Sequence, residues 1–138
     1  MAKTTSEQPR GIRNHNPGNI RHGDKWNGLA PEQADTSFCT FIDPQHGIRA
    51  MGKILLNYER RYGLNTVAGI INRWAPPVEN NTDSYAAHVA HQLGVDPDEA
   101  INVGEHLEEL VSAITLHENG VNPYDPEVIM EGCHLARV

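Results

Sequence analysis

The stretch that decides the fold is residues 105–124, EHLEELVSAITLHENGVNPY. Its apolar side chains Leu107, Val111 and Ile114 recur at the spacing of one helix face, which predicts an amphipathic helix packed against a core. The same face continues to Glu118, where the pattern leads us to expect an apolar residue rather than a carboxylate. Glu118 is therefore the candidate functional residue of this helix.

Glu118 is also predicted to lie in the last turn of the helix, because Asn119-Gly120 supplies a left-handed stop. The helix dipole and the loss of hydration both disfavour a charged carboxylate at such a position. We therefore expect an acid that can donate a proton near neutral pH. The alternative is that Glu118 extends past the apolar face into solvent and has no chemical role.

The 138 residues suit one domain whose core needs no metal or disulfide to be stable. Residues 1–9 are polar and without periodicity, which predicts a disordered leader before a single domain over residues 10–138. No apolar run is long enough to span a membrane, and the N-terminus lacks the apolar core of a signal peptide. These features predict a protein made soluble in a cytoplasm, without membrane insertion.

The net charge of −7 is unevenly distributed. Residues 1–62 carry nine Lys and Arg against six Asp and Glu, whereas residues 63–138 carry two against twelve. This balance argues against a nucleic-acid partner, since phosphate neutralisation requires a basic face. Four basic residues close together could still contact an acidic polymer or simply form a solvated loop. They are Arg10, Arg13, Arg21 and Lys25.

Neither a metal nor a cofactor is predicted. His88 and His91 stand three residues apart on a predicted helix, but no HExxH motif accompanies them. Cys39 and Cys133 have no CxxC or Cys/His ligand spacing, so two reduced thiols, at least one of them buried, are expected. No nucleophile elbow or glycine-rich phosphate loop is present, so acyl and phosphoryl transfer have no support in the sequence.

The remaining pattern is mostly helical. Apolar periodicity and stop signals predict helices over residues 46–62, 65–73, 82–93, 105–119 and 128–136, with a one- to two-turn helix opening at the capping box 96–99. Residues 10–29 are dense in Gly, Asn and Pro and predict successive turns. The run from Ser37 to Ile42 alternates enough to predict one strand of a small β element.

Two segments supply candidate binding residues. In the Asn-rich loop, amide side chains can donate to and accept from sugar hydroxyl and acetamido groups, although turn formation alone would also explain them. These amides belong to Asn14, Asn16, Asn19 and Asn27. In the proline-bounded segment after Pro77, polar side chains could line a cleft or only cap the next helix. These are Glu79, Asn80, Thr82 and Tyr85.

The segment HENGVNP, residues 117–123, resembles the end of the catalytic helix in soluble lytic transglycosylases and goose-type lysozymes. In that family a Glu-Ser pair, a short turn and Asn-Pro carry the single essential acid. Asn119 stands here where the family has Ser. The family's order of Glu, Thr, Tyr and Val in the middle of the domain is matched by Glu79, Thr82, Tyr85 and Val89.

The resemblance covers most of residues 10–136, but its order differs. The family domain begins with the catalytic helix, whereas here that helix comes last and RGIRNHNPGNIR, residues 10–21, which resembles the family's Gly-rich substrate loop, comes first. This order implies a circular permutation, which is tolerated where termini lie close together on a surface. The opening motif and WAPPVENNT, residues 74–82, are also similar to small bacteriophage virion and lysis proteins that degrade cell walls.

The resemblance therefore implies a lysozyme-like fold, mostly α with a small β element, that cleaves the β-1,4 bond between N-acetylmuramic acid and N-acetylglucosamine in peptidoglycan. Glu118 would serve as general acid and base, in either a lytic transglycosylase or a muramidase. The Asn-rich loop and the turn ending at Tyr124 are expected to face the sugar. Without a signal peptide, the protein would be carried in a phage virion or released to the periplasm. The alternative is a virion component that contacts glycan or other virion proteins without cleaving anything.

Overall fold

A computed structural model describes residues 8–138, and this part of the chain is mostly helical, as predicted. The six helices are α1 (Arg10–Arg13), α2 (Pro44–Tyr62), α3 (Val67–Trp74), α4 (Thr82–Leu93), α5 (Leu107–Asn119) and α6 (Pro126–Arg137). Seven of the nine residues of the predicted leader, 1–7, lie outside the described residues. No helix among the described residues is long and apolar enough to cross a membrane.

Helix α2 is defined at both ends by its own sequence. Asp43 precedes it in extended conformation, and its side chain accepts a hydrogen bond from the backbone N–H of His46. Pro44 occupies the first turn, where a missing N–H costs nothing. Gly63 ends the helix in the left-handed region with φ 65°. The helix is therefore fixed by a cap and a stop that are local signals.

Helices α2 and α6 form the closest pairing in the molecule, and glycines allow it. A Cβ atom added at Gly132 would overlap the side chain of Ile48, and one added at Gly52 would lie 2.7 Å from the Cβ of Ala136. Without side chains at these two positions, the helices approach through backbone and small groups. The pair supports α5, whose apolar face is fully buried between α2, α4 and α6.

The N-terminal segment lies against the end of α5. The side-chain N–H of Asn119 donates to the carbonyl of Pro17 (2.9 Å) and to the carbonyl of Thr115 (3.0 Å). Gly11 lies under this contact, since a Cβ there would be 2.6 Å from the side-chain oxygen of Asn119. Residues far apart in sequence therefore meet at the C-terminal end of α5.

The predicted strand at residues 37–42 is not formed, and residues 8–138 contain no sheet. Only two isolated antiparallel bridges remain, Arg21 with Phe38 and Leu29 with Phe41. The side chain of Gln33 explains part of the difference, because its amide bonds both the N–H and the carbonyl of Thr40. The carbonyl of Thr40 also accepts from the N–H of Ala30 (2.9 Å), while the N–H of Cys39 bonds the carbonyl of Ile20, so this run pairs with two different segments at single positions rather than with one strand.

Two further predictions need correction. The capping box at Asp96 forms only by half: the Asp96 N–H donates to the Glu99 side chain (3.3 Å), the Glu99 N–H donates to the Asp96 backbone carbonyl (3.0 Å), and only a turn follows. The chain is drawn away because the N–H of Ile101 bonds the carbonyl of Asn65 (2.8 Å). In the Asn-rich loop, where only turns were predicted, α1 forms one helical turn.

The two cysteines, Cys39 and Cys133, are both free and buried.

Candidate functional site

Glu118, in the last turn of α5, is partly buried and both of its carboxylate oxygens are engaged. The hydroxyl of Tyr85 donates to Oε2 at 2.7 Å, and the side-chain N–H of Asn19 donates to Oε1 at 3.0 Å. Three segments of the chain therefore converge on one carboxyl group. All three residues are among those singled out from the sequence.

The two donors are themselves held rigidly. Tyr85 lies on the inner face of α4 with only 2% of its surface exposed, and the ring of His117 stacks on it with centroids 3.7 Å apart. Asn19 has φ 51°, a left-handed conformation that Asn adopts more readily than most residues. Gly18 precedes it at a position without room for a side chain, since an added Cβ would lie 2.8 Å from both Met51 and Trp74. The donors are thus pre-set around Glu118.

Glu118 lies at one side of an open cleft of about 370 Å³. The cleft has aromatic and aliphatic walls together with polar groups, the composition of a site for an amphipathic ligand such as a sugar. Its main lining residues are Asn19, Arg21, Phe38, Ile54, Tyr58, Trp74, Glu79, Asn80 and Glu118. A smaller cavity on the other side of Glu118 is lined by Asn80, Asn81, Ser84, Tyr85 and His117.

The protonation state of Tyr85 follows from its surroundings. Burial first, and then the charge and hydrogen bond of Glu118, raise the pKa of Tyr85 far above its usual range. Tyr85 therefore remains a neutral hydroxyl that can donate to Glu118. The hydrogen bond from Tyr85 can therefore persist whether Glu118 is protonated or ionised. A general acid and base passes through both of these states.

Of the predicted binding residues, Glu79, Asn80, Asn19 and Tyr85 are brought to Glu118, whereas Asn14 and Asn16 are not. Asn14 donates to the carboxylate of Asp35 at 3.0 Å. Asn16 is fully buried and bonds the backbone of Ile20 and Cys39. Both amides form hydrogen bonds within the folded Asn-rich loop. Their part in shaping the loop therefore explains why asparagine stands at these two positions.

Thr82 and Tyr124 also lie outside the cleft. The hydroxyl of Thr82 donates to the carbonyl of Ala75 at 2.5 Å and is buried, while Asn81 provides the cap of α4. Tyr124 lines a separate groove next to Leu116 and Met130. The structure therefore does not bring these two predicted binding residues to the cleft: Thr82 bonds within the loop before α4, and Tyr124 lies beside α5 and α6.

The walls of the cleft are not evident from the sequence pattern. The apolar helix periodicity of Tyr58 and Trp74 favours a core position for both, yet both line the cleft. Aromatic residues at helix edges carry this double role, and periodicity does not separate the two. Arg21 appeared only as part of a basic cluster, although it lines the cleft with Glu118.

His88, one of the two histidines considered for a metal, pairs with His117. Nδ1 of His88 and Nδ1 of His117 lie 2.9 Å apart, and His91 takes no part in this contact. Residues 8–138 contain no group of three His, Cys, Asp or Glu side chains arranged to hold a metal ion. The pair instead supports the ring that stacks on Tyr85.

Comparison with known proteins places the chain in a phage lineage. No established family profile matches it. It is similar to Protein P5 of Pseudoalteromonas phage PM2: the two are 40% identical over 131 residues, which is 92% of this chain and 81% of Protein P5. Identity at this level over nearly the whole chain means common descent. The chain therefore belongs to the same family as Protein P5, a family of bacteriophage proteins.

Proposed function

We propose that this protein is a peptidoglycan-degrading glycosidase, a lytic transglycosylase or a muramidase, with Glu118 as its general acid and base. The observation that carries the proposal is the Glu118 carboxyl group at the wall of the cleft, partly buried and held by Tyr85 and Asn19. The lysozyme-like ancestry and the circular permutation belong to the same proposal. The phage relative is consistent with it, because phages must cross or open the bacterial wall.

In the proposed reaction Glu118 protonates the glycosidic oxygen while the sugar gains oxocarbenium character. The hydroxyl of Tyr85 donates to Oε2 of Glu118 both before and after the transfer, so the single acid proton is carried on Oε1 and leaves from there to the glycosidic oxygen. Glu118 next acts as a base. It assists either water or the 6-hydroxyl of the muramyl residue, and the second route leaves an anhydro product.

The cleft suits a glycan in two ways. The faces of Tyr58 and Trp74 offer apolar surface for sugar rings, and Asn80 and Glu79 offer hydrogen-bonding groups at the rim. Glu79 is a second carboxylate in the same cleft as the acid. It would position the substrate or stabilise positive charge at the sugar.

The decisive variant is Glu118→Gln. The amide is nearly isosteric and can still accept from Tyr85, but it cannot donate an acidic proton, so cleavage should fall by roughly 10²- to 10⁴-fold with little change in melting temperature. Glu105→Gln, an exposed glutamate just before the same helix, is the matched control and should keep full activity. Mass spectrometry of fragments released from purified peptidoglycan measures the rate and identifies anhydro or reducing ends.

A folded Glu118→Gln protein that clears wall suspensions as fast as the parent would refute the assignment.

A second candidate function is a virion module that binds glycan without cleaving it. It is favoured by the full engagement of both Glu118 oxygens, since a carboxylate can be held in this way for purely structural reasons. Sedimentation of the parent protein with peptidoglycan, without release of any fragment, would support this candidate.

A further inference from the structure

We propose that Arg21 forms a carboxylate-recognition site at the edge of the cleft and selects an acidic glycan over a neutral one. This inference rests on the proposed function, since the ligand is the glycan that Glu118 would cleave. The neighbouring residues fix the backbone, orient the side chain and leave its charge uncompensated.

The backbone at Arg21 is fixed by its neighbours. Arg21 forms an antiparallel bridge with Phe38. On either side, the N–H of Cys39 donates to the carbonyl of Ile20 (2.9 Å) and the N–H of His22 donates to the carbonyl of Ser37 (3.3 Å). The side chain therefore leaves from a defined point on the wall of the cleft.

The side chain is oriented by an aromatic ring. The guanidinium carbon of Arg21 lies 5.1 Å from the centroid of Phe38, within the range of a cation–π contact. Arg10 lies over the same ring at 4.6 Å. Two guanidinium groups that share one ring repel each other unless their charges are neutralised, so the partners of each decide what this site can bind.

Only one of the two charges is neutralised. Arg10 donates two hydrogen bonds of 2.6 Å to the carboxylate of Asp35, a bidentate pair. Arg21 is exposed, and within residues 8–138 no carboxylate lies at ion-pair distance from it. Arg21 lines the cleft together with Glu79 and Glu118 and forms an ion pair with neither. Such a guanidinium is pre-organised for an external anion.

The ligand chemistry follows from the proposed substrate. Peptidoglycan carries carboxylates, on the lactyl ether of each muramyl residue where the stem peptide is removed and on the stem peptide where it is present. A β-1,4 polymer of N-acetylglucosamine has none. The chain as a whole has a net charge of −7, so it gains no general attraction for an anionic wall. A local cation must supply the recognition.

Binding measurements on Glu118→Gln protein test the inference without turnover. Calorimetry compares Arg21→Gln with the Arg21 parent for three oligomers of equal length: a chitin oligomer, a glycan stripped of peptide with free lactyl carboxylates, and a glycan with intact stem peptides. We expect Arg21→Gln to weaken the binding of both acidic oligomers by roughly ten-fold at low salt. The affinity for the chitin oligomer should not change. The acidic oligomer whose affinity falls more identifies the carboxylate that Arg21 binds, either the lactyl group or the stem peptide.

Two further variants separate charge from packing. Arg21→Lys keeps the charge but not the bidentate geometry, so it should recover part of the lost affinity. Arg60→Gln removes one exposed charge from the C-terminal turn of α2 and should change nothing. Equal losses for chitin and acidic glycans, or no loss for any, would overturn the role of Arg21 alone. If the Arg21 parent binds none of the three, the proposed function falls and the inference falls with it.

Discussion

Tyr85 is the residue on which the geometry of the site depends. Its buried, neutral hydroxyl donates a hydrogen bond to Glu118 at 2.7 Å, and its ring stacks on the ring of His117. A hydrogen bond to a charged group contributes about 1.5 to 3 kcal/mol, and this one fixes the position of the Glu118 carboxylate, whereas the buried ring of Tyr85 packs in the core. Loss of the hydroxyl should therefore damage chemistry more than folding.

We predict that Tyr85→Phe lowers turnover of peptidoglycan by about ten-fold or more while the melting temperature falls only slightly. The ring and its stacking on His117 remain, so only the orientation of Glu118 is lost. Tyr62→Phe is the control, because Tyr62 is 48% exposed at the end of α2. A large drop in stability, with the specific activity of the folded fraction unchanged, would instead assign Tyr85 to packing.

Glu79 can be tested separately from Tyr85, since it lies in the loop before α4 and is exposed. Glu79→Gln should reduce turnover with no measurable change in melting temperature, because no described side chain depends on it for a hydrogen bond. Initial rates at several substrate concentrations would distinguish binding from chemistry: a raised KM indicates positioning, and a lowered kcat indicates stabilisation of charge. Unchanged kinetics would place Glu79 outside the site.

The sequence predicts these residues unevenly, for physical reasons. Glu118 stands out because a carboxylate interrupts an apolar helix face, a signal that local periodicity carries. Asn16 and Asn19 look alike in sequence, yet one is buried in its own loop and the other meets Glu118. An amide can serve either purpose, so only the tertiary path of the loop decides. The same holds for Trp74, whose ring is both core and cleft wall.

Among the elements, helices are predicted well where caps and stops coincide with apolar periodicity. α2, α4 and α5 each stop before a glycine with positive φ, and the predicted C-terminal residues of these three helices match those observed. The capping box at Asp96 has the same local signals but lacks an apolar face to bury, and it stops after one turn. Burial, not capping, decides whether a short helix continues.

The contact between α4 and α5 should be sensitive to acid. Burial first and then His88 lower the pKa of His117 below 6.5, while Glu118 acts weakly in the opposite direction. The unfolded chain thus binds a proton at His117 more readily than the folded chain. The stabilisation is present above the ordinary histidine value and is lost as pH falls below it.

We predict that the melting temperature falls between about pH 7 and about pH 5, and that His88→Gln makes this fall smaller. The glutamine can still hydrogen-bond His117 but adds no second positive charge, whereas burial of His117 remains. His91→Gln, an exposed histidine on the same helix, should keep the parent's slope. An identical slope in all three proteins would show that the histidine pair does not govern acid sensitivity.

At the scale of the whole molecule, the pairing of α2 with α6 is the largest contact between helices. It depends on Gly132, where a Cβ would overlap Ile48 and lie 3.0 Å from the carbonyl of Gln45. The backbone carbonyl cannot move aside as a flexible side chain could. Substitution at this one position should therefore separate the two helices.

We predict that Gly132→Ala reduces the free energy of unfolding by about 1 to 3 kcal/mol, measured by urea denaturation. Gly104→Ala is the matched control, because its φ is not positive and its nearest neighbour would lie at 3.4 Å. That change should be neutral or stabilise by about 0.4 to 1 kcal/mol through the unfolded chain. Equal effects at both positions would mean that α2 and α6 are not closely packed at Gly132.

The hydrogen bond between Asn19 and Glu118 joins residues 99 positions apart. A ribosome must therefore synthesise the chain from Asn19 through Glu118 before the carboxylate can meet both of its donors, and Tyr85 and Asn19 are made before α5 emerges. Closing so long a loop is also slow compared with forming any single helix. During translation the nascent chain has no assembled site, so any activity that depends on Glu118 begins only after synthesis has passed α5.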